Sequence, residues 1–242
     1  MRIPRIYHPD PIFVDQHLPL TAEACKHLLT VLRLKDGHPI ILFNGDGNEY
    51  TASLRVESKR NATAFIEAQL AISVESALSI HLGQGISKGE RMDFVLQKSV
   101  ELGVSEITPI ITERCPIKLN ADRWEKKHQH WHKVIISACE QCGRNVVPTL
   151  HQAVPLNEWL QQSTQQLRLT LHPQAEKRMS EMKPDQHGFR LLIGPEGGLS
   201  DSEIYQSNES GFASALLGPR VLRTETAALA AISVLQSHFG DL

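Results

Sequence analysis

From about residue 77 onward the chain alternates between two periodicities, and this alternation restricts the possible folds more than any other feature. Short apolar runs, SIHLGQGI (79–86), EITPIIT (106–112), LRLTLHP (167–173), FRLLIGP (189–195) and SALLGP (214–219), are separated by longer stretches with helical spacing. Met92, Val95, Leu96, Ser99, Val100 and Gly103 recur at the period of a helix, residues 122–144 are helical by composition, and residues 224–239 read as a helix apolar on nearly every side. Strands alternating with helices predict a parallel sheet covered on both faces, an α/β domain. The preceding residues are different. After an amphipathic piece at 22–34, Asn44-Gly45-Asp46-Gly47 separates an apolar run from an alternating one, which signals a hairpin, and a second alternating run covers 62–71. A small β-barrel or sheet is expected there. The texture changes between residues 72 and 77, giving domains 1–73 and 74–242.

The net charge of -2 and pI of about 6.6 give no support to non-specific nucleic-acid binding by the chain as a whole. The distribution is less even: residues 88–144 carry ten Lys/Arg against eight Asp/Glu, and residues 145–242 seven against ten, so the middle segment is the one suited to an anion. No stretch has the roughly 18 consecutive apolar residues of a membrane span, and MRIPRIYHPD lacks the apolar core of a signal peptide. A cytoplasmic protein with no membrane partner is expected. Four scattered cysteines, at 25, 115, 139 and 142, suit reduced thiols.

Two strand-to-helix junctions could carry chemistry. IGPEGGLS (193–200) runs from a strand into a helix whose start is marked by Ser200 and Glu203 at capping-box spacing. LGPRVLRTETAA (217–228) leaves a strand at Gly218-Pro219 and enters the last helix near Thr224. Ligands of open α/β sheets sit beyond the carboxyl ends of the strands, where glycines let the backbone approach. Neither loop matches a phosphate-binding motif and neither has a lysine, which disfavours nucleotide triphosphate hydrolysis. A neutral or cationic ligand read by backbone groups fits better. His128, His130 and His132 suggest a metal, but only 128 and 132 share a helix face, and Cys139/Cys142 lack a second pair, so no metal is expected.

The IGPEGG loop, the LGPRVLRTETAALAAI segment, CEQCGR at 139–144, KHLLTVLR at 26–33, QKSVELGV at 97–104 and the opening RIPR together resemble the 16S rRNA uridine N3-methyltransferases. Those enzymes belong to the SPOUT class, which uses S-adenosylmethionine (SAM). The resemblance covers essentially the whole chain. Gly37-His38 stands where that family more often has Gly-Asp. The resemblance implies a PUA-like RNA-binding β-barrel followed by a SPOUT α/β domain with a trefoil knot, assembled as a homodimer. It implies SAM held by Leu171, Ile193, Gly194, Glu196, Gly197, Gly198, Leu217, Gly218, Leu222, Arg223, Thr224 and Ala227. For the reaction, Arg220 and Arg223 are the candidates to stabilise negative charge developing on the uracil oxygens, and Glu196 or Glu225 to take the N3 proton. Arg2, Arg5, Arg33, Lys88, Arg114 and Arg144 are candidates to hold RNA phosphates, with the 16S rRNA of the 30S subunit as the expected partner. The alternatives are a SPOUT 2′-O-ribose methyltransferase acting on tRNA or 23S rRNA, and a non-catalytic RNA-binding assembly factor of the same fold.

Overall fold

The computed structural model describes residues 3–115, 120–172, 175–184 and 186–242. Two compact units are found, one formed by Met1–Glu75 with Cys139–Val147 and the other by Ser76–Ala138 with Pro148–Leu242. The assignment of Cys139–Val147 to the first unit follows from contacts distant in sequence, which no local pattern encodes.

The first unit is a five-stranded sheet in the order β1-β3-β4-β5-β2, built from β1 (Arg5–Tyr7), β2 (His17–Pro19), β3 (Pro39–Phe43), β4 (Glu49–Val56) and β5 (Ala62–Leu70). The hairpin joins β3 to β4. Asp46 closes its turn, accepting from the Asn48 N–H at 2.8 Å and from the Tyr50 hydroxyl at 2.6 Å. All pairings are antiparallel except β1 with β3. The buried His8 ring links the two edge segments of this sheet by reaching the Pro19 carbonyl at 3.1 Å. Alternation along the strands buries Ile40, Leu42, Leu54, Ala64 and Ile66 on one face. Leu28 closes this core from a helical segment that is α-helical over α1 (Ala22–Cys25) and widens to a π-helix over Lys26–Val31.

In the second unit every strand pairing is parallel, as the alternating pattern predicts. The sheet runs β12-β10-β11-β6-β7-β8, with β9 also on β7. Its strands are β6 (Ile80–Gly85), β7 (Glu106–Ile111), β8 (Thr149–Leu150), β9 (Val154–Pro155), β10 (Leu167–Leu171), β11 (Phe189–Ile193) and β12 (Ala213–Ala215). The helices are α2 (Glu90–Glu101), α3 (Ala121–Cys142), α4 (Leu156–Gln161), α5 (Asp201–Glu209) and α6 (Thr224–Phe239). The short β8, β9 and α4 have no periodic signature, because two to six residues are too few to show one. Tertiary packing holds α4 in place. Trp159 lies directly against Gly83 of β6, where a Cβ would come within 2.4 Å of the indole, and Leu156, Leu160, Leu192 and Phe212 surround it. On the other side α6 packs against α2. Gln236, fully buried in α6, accepts from Ser76 at 2.8 Å and donates to the Leu102 carbonyl at 3.0 Å, which fixes the helix along its axis.

Candidate active site

Three adjacent parallel strands, β12, β10 and β11, end together, with Leu171 of β10 in register with Ala215 of β12. Beyond these carboxyl ends the two glycine loops converge on one cavity of about 380 Å³, within the ~300–1,000 Å³ span of small-molecule sites. Leu171, Ile193, Gly194, Glu196, Gly197, Gly198, Leu217, Gly218, Leu222, Thr224 and Ala227 line it, together with Arg220. Arg223, expected among them, is exposed at the residue before α6, so its side chain stands outside the lining. The cavity also includes His172, Pro195, Leu199, Leu216 and Val221 from the quoted segments, and Ile204, which had no motif to mark it.

Several ties shape the first loop. The Gly198 N–H donates to the Pro195 carbonyl at 2.9 Å, closing a turn. Ser200 caps α5 through the expected reciprocal box: its hydroxyl accepts from the Glu203 N–H at 3.3 Å, and Glu203 accepts from the Ser200 N–H at 2.9 Å. The other oxygen of the buried Glu203 accepts from the Glu113 N–H at 2.8 Å. That bond fixes the turn after β7, whose next residue, Arg114, donates to the Gly197 carbonyl at 2.7 Å. Arg114, though exposed, thereby braces the loop through one of its guanidinium nitrogens. Glu196 is engaged within the protein, accepting from the Lys88 N–H at 3.0 Å and pairing with Arg91 at 3.2 Å. Partial desolvation raises the Glu196 pKa, but the bonds from Lys88 and Arg91 outweigh it and hold the carboxyl below its ordinary value.

A buried relay joins the two loops. Gln84, at the end of β6, donates to the Thr224 hydroxyl at 2.9 Å, and that hydroxyl donates to the Gly194 carbonyl at 2.6 Å. The last helix therefore begins where the first loop leaves the sheet. An amide inside the otherwise apolar SIHLGQGI run was the one available signal for Gln84. In the first turn of α6, Glu225 Oε2 is withdrawn from solvent with no hydrogen-bond partner among the described residues.

The glycines differ in why they are bare. A Cβ at Gly194 would come within 2.9 Å of the Leu199 backbone nitrogen, so the protein itself demands glycine there, whereas one at Gly197 would press on the Arg114 side chain at 3.3 Å. Gly198 has φ of +68°, a conformation that L side chains rarely adopt. At Gly218 a Cβ would meet nothing within 4 Å and the backbone sets no such demand. Neither packing nor backbone conformation among the described residues therefore requires glycine at this position of the cavity lining.

The remaining expected RNA contacts divide by burial. Arg5 is withdrawn beneath the sheet, paired with Glu49 at 2.6 Å and bonded to Asn145 at 2.6 Å, and Arg144 pairs with Glu75 at 2.6 Å with its side chain 6% exposed. Both side chains are buried and ion-paired within the first unit, which makes them internal ties in place of the expected RNA contacts. Arg33 and Lys88 are exposed, and Arg2 lies outside the described residues. His128 reaches the Leu150 carbonyl and His130 pairs with Asp93 at 2.8 Å, so the three helix histidines do not converge. No disulfide joins the four cysteines, and burial pushes the Cys139 thiol up to about 12.

The fold and its paired strand-end loops are those of RNA methyltransferases, as the family models show. Residues 74–236 match the model of the RNA methyltransferase domain and residues 20–67 that of the RNA methyltransferase PUA domain. More specifically, the chain belongs to the ribosomal RNA small subunit methyltransferase E family. The member from Buchnera aphidicola subsp. Schizaphis graminum is 38% identical over all of this chain and 98% of its own length, and that from Bacillus subtilis is 28% identical over 89% of this chain and 88% of its own. Among solved structures, the Neisseria gonorrhoeae member bound to SAM superposes with a TM-score of 0.92 at 40% identity, and a Legionella pneumophila methyltransferase with bound SAM with a TM-score of 0.96 at 48% identity. Both matches cover 100% of each chain. Among the described residues, no helix is long and apolar enough to cross a membrane.

Proposed function

We propose that the protein methylates N3 of a uridine in 16S rRNA, using SAM held in the cavity between the two glycine loops. The convergence of both loops on one cavity, with Gly218 bare for no reason internal to the protein, carries this reading. SAM, when bound, supplies the methyl group. The chain's own residues then have three tasks. Backbone groups of 193–198 and 217–218 hold the ligand, braced by Arg114 and by the relay from Gln84 through Thr224 to Gly194.

Arg220 and Arg223 present fixed positive charge to the uracil oxygens, where negative charge develops as N3 loses its proton. Glu225 takes that proton or orients an arginine. It is favoured over Glu196 because one of its oxygens is unengaged, whereas Glu196 is bound to Arg91 and the Lys88 N–H. Exposed Arg33 and Lys88 remain the candidates for phosphate contacts in the assembled 30S subunit. A homodimer around a trefoil knot accords with the half-buried Leu229, Ala230 and Val234 on α6, and a cytoplasmic location with a ribosomal substrate.

The test is methyl transfer from labelled SAM to unmodified 30S subunits, followed by nucleoside mass spectrometry of the digested 16S rRNA. N3-methyluridine is expected. A 2′-O-methylated nucleoside would overturn the proposed position, and absence of both product and SAM binding would leave a non-catalytic RNA-binding protein.

A further inference from the structure

We propose that His81, Glu106 and His151 form a binding site for a divalent transition metal ion of the zinc type, at the end of the parallel sheet opposite the glycine loops. His81 is the second residue of β6, Glu106 opens β7 in register with it, and His151 directly follows β8. One ligand atom from each residue lies within 4.8 Å of the others. Glu106 Oε2 is 2.9 Å from His151 Nε2 and 3.8 Å from His81 Nδ1. Zinc bonds of ~2.0–2.2 Å place ligand atoms of a tetrahedral site roughly 3.3 Å apart, so small side-chain adjustments convert this cluster into a coordination sphere.

The surroundings are those of a ligating group. His81 Nε2 is engaged by the Thr108 hydroxyl at 2.7 Å, which orients the ring and leaves Nδ1 facing Glu106 beyond hydrogen-bond reach. Such an outer partner on the second imidazole nitrogen is the usual support for a metal-binding histidine. Trp159 packs edge-on to the His81 ring at 5.6 Å, and the His151 ring lies 5.2 Å from it, so the rings are held in place before any ion arrives. The His81 side chain is 9% exposed, whereas those of Glu106 and His151 are 37% and 41% exposed, which gives an ion a buried anchor and an open entrance.

The buried Arg190 in the same layer is turned to the Trp159 and Gln162 carbonyls and the Gln162 side chain. Two imidazoles and one carboxylate suit zinc and its first-row neighbours better than magnesium or calcium, which prefer all-oxygen shells. Water would complete the sphere. Residues this far apart in sequence have no ligand spacing to detect.

The test uses untagged full-length protein, stripped with chelator and titrated with Zn2+ and, for its visible absorption, Co2+. Metal content is measured after gel filtration. One equivalent is expected for the parent protein and for His130→Ala, a control for the surface histidines of α3. Glu106→Gln and His151→Ala, both at partly exposed positions that tolerate replacement, should lose that equivalent. Thr108→Val should weaken binding about 10-fold or more. Retention of the full equivalent in Glu106→Gln and His151→Ala, or no metal on the parent protein, would overturn the proposal. The readout does not depend on methyl transfer.

Discussion

Replacing Gly218 with alanine separates the protein's needs from the ligand's. The added Cβ meets no protein atom within 4 Å and the backbone is not in the left-handed region, so the folded state accepts it without strain. Alanine also restricts the unfolded chain, which stabilises by ~0.4–1 kcal/mol at a compatible site. For a chain of this size that raises the melting temperature by roughly 1–4 °C. SAM should respond in the opposite direction. A methyl group forced into a filled contact costs ~1–3 kcal/mol, a loss of about 5- to 150-fold in affinity. Calorimetric titration with SAM and a thermal melt of the ligand-free protein measure the two effects. Gly194→Ala is the contrasting variant: its Cβ would press on the Leu199 backbone nitrogen at 2.9 Å, so both stability and affinity should fall. The reasoning fails if Gly218→Ala binds SAM as tightly as the parent, or if it melts lower.

Arg223→Ala should reduce single-turnover methyl transfer by ~100- to 1,000-fold, the usual loss when a donor to developing negative charge is removed, while SAM affinity changes little. An equal loss in both would make Arg223 a binding residue. Arg5→Ala breaks a buried ion pair and leaves Glu49 uncompensated, which should destabilise the first unit by ~3–5 kcal/mol in urea unfolding; a change under ~1 kcal/mol would return Arg5 to the list of RNA contacts. Burial raises the Glu140 pKa above its ordinary 4.5, only partly countered by the Tyr7 N–H. The folded state therefore holds this proton more tightly than the unfolded state, so the contribution is present below pH 4.5 and lost as pH rises through the folded value. Glu140→Gln keeps the acceptor for Tyr7 and should be more stable at pH 7, with a flatter dependence on pH in urea unfolding; identical pH profiles would contradict this.

Much of the architecture was legible because it repeats along the chain. The long elements α2, α3 and α6 and the strands β6, β7, β10 and β11 fall where the 3.6- and strand-type patterns place them, and the start of α5 follows from the Ser200/Glu203 pair. The cavity lining was legible for a different reason: glycine-rich strand ends carry their own signal, and family resemblance sharpened it. Arginine roles were not legible. Arg5 and Arg144 look like any surface arginine in one dimension, and only their burial against Glu49 and Glu75 distinguishes a strut from a phosphate contact.

By itself, the sequence determined the class of each segment and the location of the bare loops, because periodicity, capping and backbone freedom are local properties carried within a few residues. Tertiary structure alone decided which of those residues meet. Gln84, Thr224 and Gly194 become one hydrogen-bonded relay, Glu113, Glu203 and Arg114 become a loop brace, and His81, Glu106 and His151 become a cluster, only because strand order in a parallel sheet brings distant segments together. The burial that turns a charged side chain from a solvated group into an internal tie is likewise a property of the packed whole.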